Sequence, residues 1–355
     1  MPAAVNFQDT NILPLLMKAT ETWRDPSMYA HLKRSVPTLM SIAGNQTARF
    51  KSDMYDAAKQ CRIYRMHWIE DDGSTSFSGA AADPTCVLPG GQKATSGIKN
   101  YFAQQKLAEA FSIDELECNE TSYDDVFALK MLSVKAKLRN KLNDAAIVYL
   151  NANASTASDY TTGGTLVGSS LTYPTAVWEN LDKIMYHLSS LQEFNDITNG
   201  VLINGANLNQ AAWIAMYKGT NGCCTDTQAL LDSFGTILWD RRNLEVALSG
   251  EQASFLFDAN RVAMLNDWHY DNNNPISFDM SKNTEVFGMN DDMVSIKNGS
   301  GSMPLRYDVI RQMVCYTNNS RLCKRWNYEV FLRYGFYNAP TLNPAKTGII
   351  KLVNA

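Results

Sequence analysis

Thirty residues near the middle of the chain, 122–151, leave few folding options. Phe127, Met131, Val134, Leu138, Leu142, Ala145 and Tyr149 recur at helical spacing, which lays an apolar stripe along one side of a helix. Ser122 is a good N-cap, and Asp124 and Asp125 suit the positive helix end. At 1.5 Å per residue the element would span about 45 Å. An average globular helix has only about 11–12 residues. A rod this long needs apolar partners along its whole stripe. "NASTASDYTTGG" then ends it with loop chemistry.

What precedes the helix is broken. Residues 1–60 read as short helices cut by prolines. "PLLMKATETW" opens on Pro14, which suits a first helical turn, and Asp25 with Pro26 caps and starts "PSMYAHLKR". Pro37 is expected to break the chain again. None of these pieces is long enough for a stable helix alone. The segment therefore needs a surface, within the chain or on a neighbour. "CRIYRMHWIE" (61–70) reads as a strand. "NYFAQQKLAEAFSIDELE" (100–117) reads as its partner strand, although its middle also suits a helix. Residues 71–98 between them hold five glycines, four serines and two prolines. Irregular loops beyond about 15 residues are uncommon in compact domains. Phe77, Val87 and Leu88 are poor choices for a purely solvated loop, so contact is expected there.

After the long helix the pattern alternates. "PTAVWENLDKIMYHLSSL" and "NLNQAAWIAMYKG" are helical and "GVLING" is strand-like. "GTILWD", "LEVALS" and "SFLFD" read as short strands, and "ANRVAMLND" as a short helix. Together they predict a mixed α/β lobe with its own core. From residue 303 β-structure returns in "PLRYDVIRQMVCY", "WNYEVFLRYGFY" and "GIIKLV". The overall class is α+β.

Composition narrows the function. Hydrophobic residues make up 45% of the 355, as in a globular protein, and charged residues only 19% against a typical ~25%. Either other subunits cover much of the surface, or the surface is rich in Asn, Ser and Thr. The net charge of −4 lacks the basic excess of a dedicated nucleic-acid binder. No apolar run approaches the ~20 residues of a membrane span, so no membrane partner is expected. "MPAAVNFQDT" lacks the basic and apolar regions of a signal peptide. Seven cysteines, an odd count in no metal-binding spacing, fit free thiols in a cytosol.

Catalytic signatures are missing from the sequence. "GGTLVG" and "GGQKATSG" fall outside the registers of phosphate-binding loops. There is no G-x-S-x-G and no H-E-x-x-H. The most site-like stretch is "DWHYDN", where Asp267, His269 and Asp271 alternate. It suits a metal or acid/base site, or a polar turn after a helix. No cofactor is expected. Lys130, Lys135, Lys137, Arg139 and Lys141 lie on the long helix with no acid from 126 to 143. They read as a solvated helix face or as a surface toward nucleic acid.

A proline-broken arm, a strand–loop–strand excursion, a very long helix, an α/β lobe and a return to β follow in that order. The ending "RYGFYNAP", a proline turn and a last short strand completes it. In this order the chain resembles the major capsid proteins of tailed bacteriophages, with the Hong Kong 97-type fold. The resemblance implies an N-terminal arm at 1–60 and an extended loop at 61–115. It implies a peripheral domain at 116–164 and 301–355, with a spine helix at about 122–151, and an axial α/β domain at 165–300. Leu15, Leu16, Trp23, Phe77, Val87 and Leu88 would then touch neighbouring subunits, and the five basic residues would face packaged DNA without sequence specificity. The implied function is an icosahedral shell of pentamers and hexamers around a double-stranded DNA genome, assembled in the host cytoplasm and located in the virion. Portal and scaffolding proteins, and decoration proteins, are the implied partners. The scaffold would be a separate chain or a piece already lost, because the spine-like helix begins near residue 122. A non-viral encapsulating shell, or a cytosolic α/β enzyme working near Asp267, His269 and Asp271, are the other readings.

Overall fold

The computed structural model describes residues 36–43, 52–56, 61–70, 95–101, 103–114, 122–205, 236–267, 277–279, 284–291, 305–318, 321–338 and 344–355. In chain order these form α1 (Pro37–Ala43), β1 (Ser52–Asp56), β2 (Cys61–Glu70), β3 (Thr95–Tyr101), β4 (Gln105–Asp114) and α2 (Tyr123–Ala152). Next come β5 (Thr165–Val167), β6 (Ser170–Tyr173), α3 (Thr175–Trp178), α4 (Leu181–Phe194), β7 (Gly200–Asn204) and β8 (Thr236–Trp239). Then follow α5 (Arg241–Ala247), β9 (Ala253–Asp258), β10 (Val262–Asp267), β11 (Ser277–Asp279) and β12 (Thr284–Asp291). The chain closes with β13 (Leu305–Asn318), β14 (Arg321–Asn338) and β15 (Ile349–Asn354).

The long helix forms as its pattern predicts. Ser122 caps it by accepting from the Asp125 amide, and Asp124 and Asp125 occupy the first turn. Phe127, Met131, Val134, Leu138 and Leu142 are buried, while Ala145 and Tyr149 are partly buried against the same core. The apolar contact is wider than one stripe. Ala128, Leu132, Ala136, Ala146, Ile147 and Leu150 are buried as well, because α1 and α5 pack on α2 in addition to β4 and β14.

Three sheets organise the strands. β1, β2 and β3 form an antiparallel sheet of their own. A second sheet has the order β10-β14-β13-β12-β11, with β4 also paired to β14. Tyr334 of β14 sits opposite Gln105 of β4 and opposite Asn266 of β10, so β4 and β10 lie on its two edges. β13 pairs with β14 up to Phe331 and β10 takes over from Arg333. Asn266 closes that junction. Its Nδ2 donates to the Arg306 carbonyl at 3.2 Å and the Arg333 carbonyl at 3.0 Å, and its Oδ1 accepts from the Arg306 amide at 2.7 Å. Backbone groups that the handover would leave bare are thereby satisfied.

The third sheet has the order β5-β6-β15-β9-β7-β8. Its two faces feed two different cores. Val201, Ile203, Phe255, Phe257 and Ile349 join the large core around α2. Leu202, Leu256, Ile350 and Leu352 join a second core with Trp178, Ile184 and Leu188 from α3 and α4. Burial on both sides explains why "GVLIN" and "SFLFD" run nearly continuously apolar.

Several elements differ from the sequence expectation. "LEVALS" belongs to helix α5 and the following turn, not to a strand; Leu244 faces the core and the Leu248 amide reaches the Leu244 carbonyl at 2.9 Å. "ANRVAMLND" is a turn followed by strand β10, not a helix. Asp258 makes the turn by accepting from the Asn260 amide, and all six residues of β10 are buried. Pro37 opens α1 instead of breaking the chain, since a first-turn residue has no intrahelical use for its N–H. Residues 100–117 do not serve one partner: Tyr101 ends β3 beside β2, whereas β4 pairs with β14. Sheet membership also crosses the expected boundary near residue 300. β10, β11 and β12 pair into the sheet of β13 and β14, and β15 pairs with β6 and β9. β14 runs unbroken through Gly335.

Leu138 is fully buried in the large core. Leu138→Ala is expected to cost about 2–5 kcal/mol in chemical denaturation of the full chain, and a loss below about 0.5 kcal/mol would contradict this placement.

Candidate functional site

The basic residues of α2 do not share one solvated face. Lys135 and Arg139 are each only 3% exposed. Lys130, Lys137 and Lys141 follow one another at i, i+7 and i+11, which is a separate stripe. That stripe is anchored at both ends on β4. The Lys130 ammonium donates to the Ser112 carbonyl at 2.7 Å, and Lys141 pairs with Glu109. Lys137 is exposed between them. The expectation of a five-residue DNA-facing surface is therefore corrected: burial takes Lys135 and Arg139 inside the subunit. Leu15, Leu16, Trp23, Phe77, Val87 and Leu88 lie outside the described residues, as do His269 and Asp271. Asp267 is buried at the end of β10, opposite Arg333. It ends a strand and does not follow a helix, and the rest of "DWHYDN" lies outside the described residues. Among the described residues no group of three His, Cys, Asp or Glu is placed to hold a metal ion. No helix among them is long and apolar enough to cross a membrane.

Among the described residues, one dense buried polar group was missed by sequence reasoning. Asp240 precedes α5 and is 4% exposed. Its Oδ2 accepts from the Thr38 hydroxyl at 2.6 Å, the Thr38 amide at 3.4 Å and Asn143 Nδ2 at 3.2 Å. Its Oδ1 accepts from Asn243. Asn143 in turn accepts from the Leu39 amide at 2.9 Å. The first-turn amides of α1, which have no partner within their own helix, are thus satisfied by side chains of α2 and of the α5 start. Burial pushes the Asp240 carboxyl up to about 6, against four hydrogen bonds that pull it down. The available signal was an Asp directly before a helical i, i+3 pattern. Reading "LEVALS" as a strand hid it.

A second surface carries aromatic residues. Tyr160 donates or accepts at 2.9 Å with His187 Nδ1 and stacks on Phe194 at 5.4 Å. Tyr186 is 66% and Phe194 53% exposed. Desolvation holds the His187 imidazole below its ordinary value. Gly163 passes over that ring at φ +78, where a Cβ would lie 2.7 Å from His187 Cε1. This group joins the β5 approach to α4, where Tyr186 and Phe194 are exposed beside Asp182, Lys183 and Glu193.

No family model matches the chain, and no curated protein matches it. Solved structures do. A chain from Mycobacterium phage Bobi is similar at 13% identity and a TM-score of 0.45, covering 93% of this chain and 94% of that one. The capsid of Myoviridae phage XM1 is similar at 9% identity and a TM-score of 0.39, covering 89% and 90%. The holo-SrpI encapsulin complex of Synechococcus elongatus is similar at 8% identity and a TM-score of 0.34, covering 82% and 81%. The chain is thus a mixed α+β protein similar over most of its length to chains of phage capsid structures.

Only Lys137 of the five basic residues is exposed without a described anchor on β4. Duplex DNA is expected to bind non-specifically, at about 10⁻⁴–10⁻⁶ M at physiological salt, and more weakly as salt rises. Titration of two unrelated duplexes at two salt concentrations checks this; nanomolar affinity that distinguishes them would contradict it.

Proposed function

We propose that the chain is a major capsid protein, which assembles with copies of itself into a closed shell around double-stranded DNA. The observation that carries this reading is the separate sheet of β1, β2 and β3. Among the described residues its strands pair only with one another, β2 in the middle. A sheet this small needs an apolar surface or a helix beneath it for stability. The body of the chain spends its long helix on its own two larger sheets. A neighbouring copy is the natural support for the small one.

In this proposal residues 1–60 are an arm and 61–115 an extended loop, both laid on adjacent subunits. Leu15, Leu16, Trp23, Phe77, Val87 and Leu88 supply apolar contact there. Residues 116–164 and 301–355 form the peripheral unit around α2, and 165–300 the axial unit, with strands exchanged between the two units. Pentamers and hexamers of the chain build the shell. Contact area supplies the stability, at about 25 cal/mol per Å² of apolar burial before association costs. The role is structural, not enzymatic. Portal, scaffolding and decoration proteins are the proposed partners, the host cytoplasm the place of assembly and the virion the final location. The net charge of −4 suits a wall that holds DNA loosely, because tight binding would oppose its packaging and release.

Deletion of residues 71–94, which spares β2 (Cys61–Glu70) and β3 (Thr95–Tyr101), tests the loop contact. The full chain is expected to give closed shells or curved sheets in electron microscopy, and the deletion a soluble, folded protein without shells. Normal shells from the deletion would overturn the contact. Nuclease-protected genomic DNA inside the particles is expected of a viral shell, and its absence from particles isolated from infected cells would favour a non-viral compartment.

A further inference from the structure

We propose that Asp240 is a pH-responsive latch that holds α1 on the junction of α2 and α5 and weakens as pH rises. The geometry is that of a latch more than of a general core contact. α1 contributes two backbone amides and one hydroxyl to it, through Thr38 and Leu39. The receiving groups, Asp240 and Asn143, come from two other elements, 97 residues apart in sequence. Thr38 and Asn143 are fully buried, so solvent cannot replace these bonds while α1 is docked. All four donors to Asp240 are neutral. A buried carboxylate without a countercharge in its bonding shell is costly.

Among the described residues, the bonds to Asp240 bring no charged group to it. α1, β7 and β8, read as PTLMSIA, GVLIN and TILW, bear none. α5 bears Arg241, Arg242 and Glu245, all facing outward, with Arg241 paired to Glu245 at 2.9 Å. α2 bears Arg139, Lys141 and Asp144 within a turn of Asn143, and β10 ends in Asp267. None of these donates to Asp240 in the bonds described above. When a proton binds, Oδ1 is the atom for it, because Oδ2 already takes three donors. Asn243 can then turn its amide oxygen toward the new O–H.

The sign follows from linkage. In the latch the carboxyl sits at about 6 against an ordinary 3.8. Released and hydrated, it returns toward the ordinary value. The docked form therefore holds a proton that the released form gives up. Its contribution is complete below the ordinary value and is lost as pH rises through about 6. Each pH unit of separation is a tenfold factor, so the docking equilibrium weakens by at most about a hundredfold.

Hydrogen–deuterium exchange of the full chain at pH 5 and pH 7.5, with intrinsic rates corrected for pH, tests this. The protection of α1 amides, Thr38 and Leu39 foremost, is expected to fall about tenfold between the two. At pH 7.5 it should be lower than that of the α2 core around Leu138. Asp240→Asn is expected to remove the pH dependence. Equal protection of α1 at both pH values would overturn the latch. So would α1 protection equal to that of the α2 core at pH 7.5, or an undiminished pH dependence in Asp240→Asn. If Asp240→Asn does not fold, the two wild-type comparisons decide alone.

Discussion

Burial of α2 on more than one side is the constraint on which the rest depends. A helix of thirty residues cannot keep its shape through propensity alone, since most helical stability in proteins comes from packing. Here β4 and β14 cover it from one direction, and α1 and α5 from another. Each fully buried Leu, Phe or Met along it contributes about 1.5–3 kcal/mol relative to exposure. The aromatic contact of Phe127 with Phe111 and Tyr328, at 6.0 and 5.2 Å between ring centres, fixes its rotation over the sheet. The same packing removes Lys135 and Arg139 from the surface. That is why a run of basic residues did not make a basic face.

The helix also ties two sheets into one body. Its C-terminal end is sealed against the last segment of the chain: the Thr347 hydroxyl donates to the Asn153 carbonyl at 2.5 Å, and the Ser155 amide to the Ile349 carbonyl at 2.7 Å. β15 then enters the middle of the third sheet between β6 and β9. The turn between β9 and β10 carries the chain from that sheet into the other. These crossings make the folded body cooperative across its units. They leave β1, β2 and β3 as the described strands that pair only with one another.

The strongest periodic signal was the most legible. Ser122, the paired aspartates and the stripe from Phe127 to Leu142 fixed the existence, start and buried side of α2. "GVLING", "GTILWD" and "SFLFD" were legible as strands because apolar β-branched and aromatic residues fill them. "ANRVAMLND" was not, because a strand buried on both faces shows no alternation and its Ala and Met also suit a helix. "LEVALS" failed for the converse reason: seven residues of α5 hold too little of a helical period. The Asp240 cluster was out of reach. It assembles from residues 38, 143 and 240, and no local pattern announces a contact across such distances. The candidate contact residues Phe77, Val87 and Leu88 and the pair His269 and Asp271 fall outside the described residues, so they stand on the sequence alone.

A self-sufficient body joined to a small sheet is what a subunit needs if it is to stay folded before assembly and gain area during it. An enzyme built on the same chain would act as a small oligomer. Sedimentation velocity of the purified full chain over a range of concentration separates the two most directly. The account predicts a fast-sedimenting species of megadalton mass that grows at the expense of free subunits. Monomers and small oligomers alone, at every concentration and with the fold intact by circular dichroism, would contradict it.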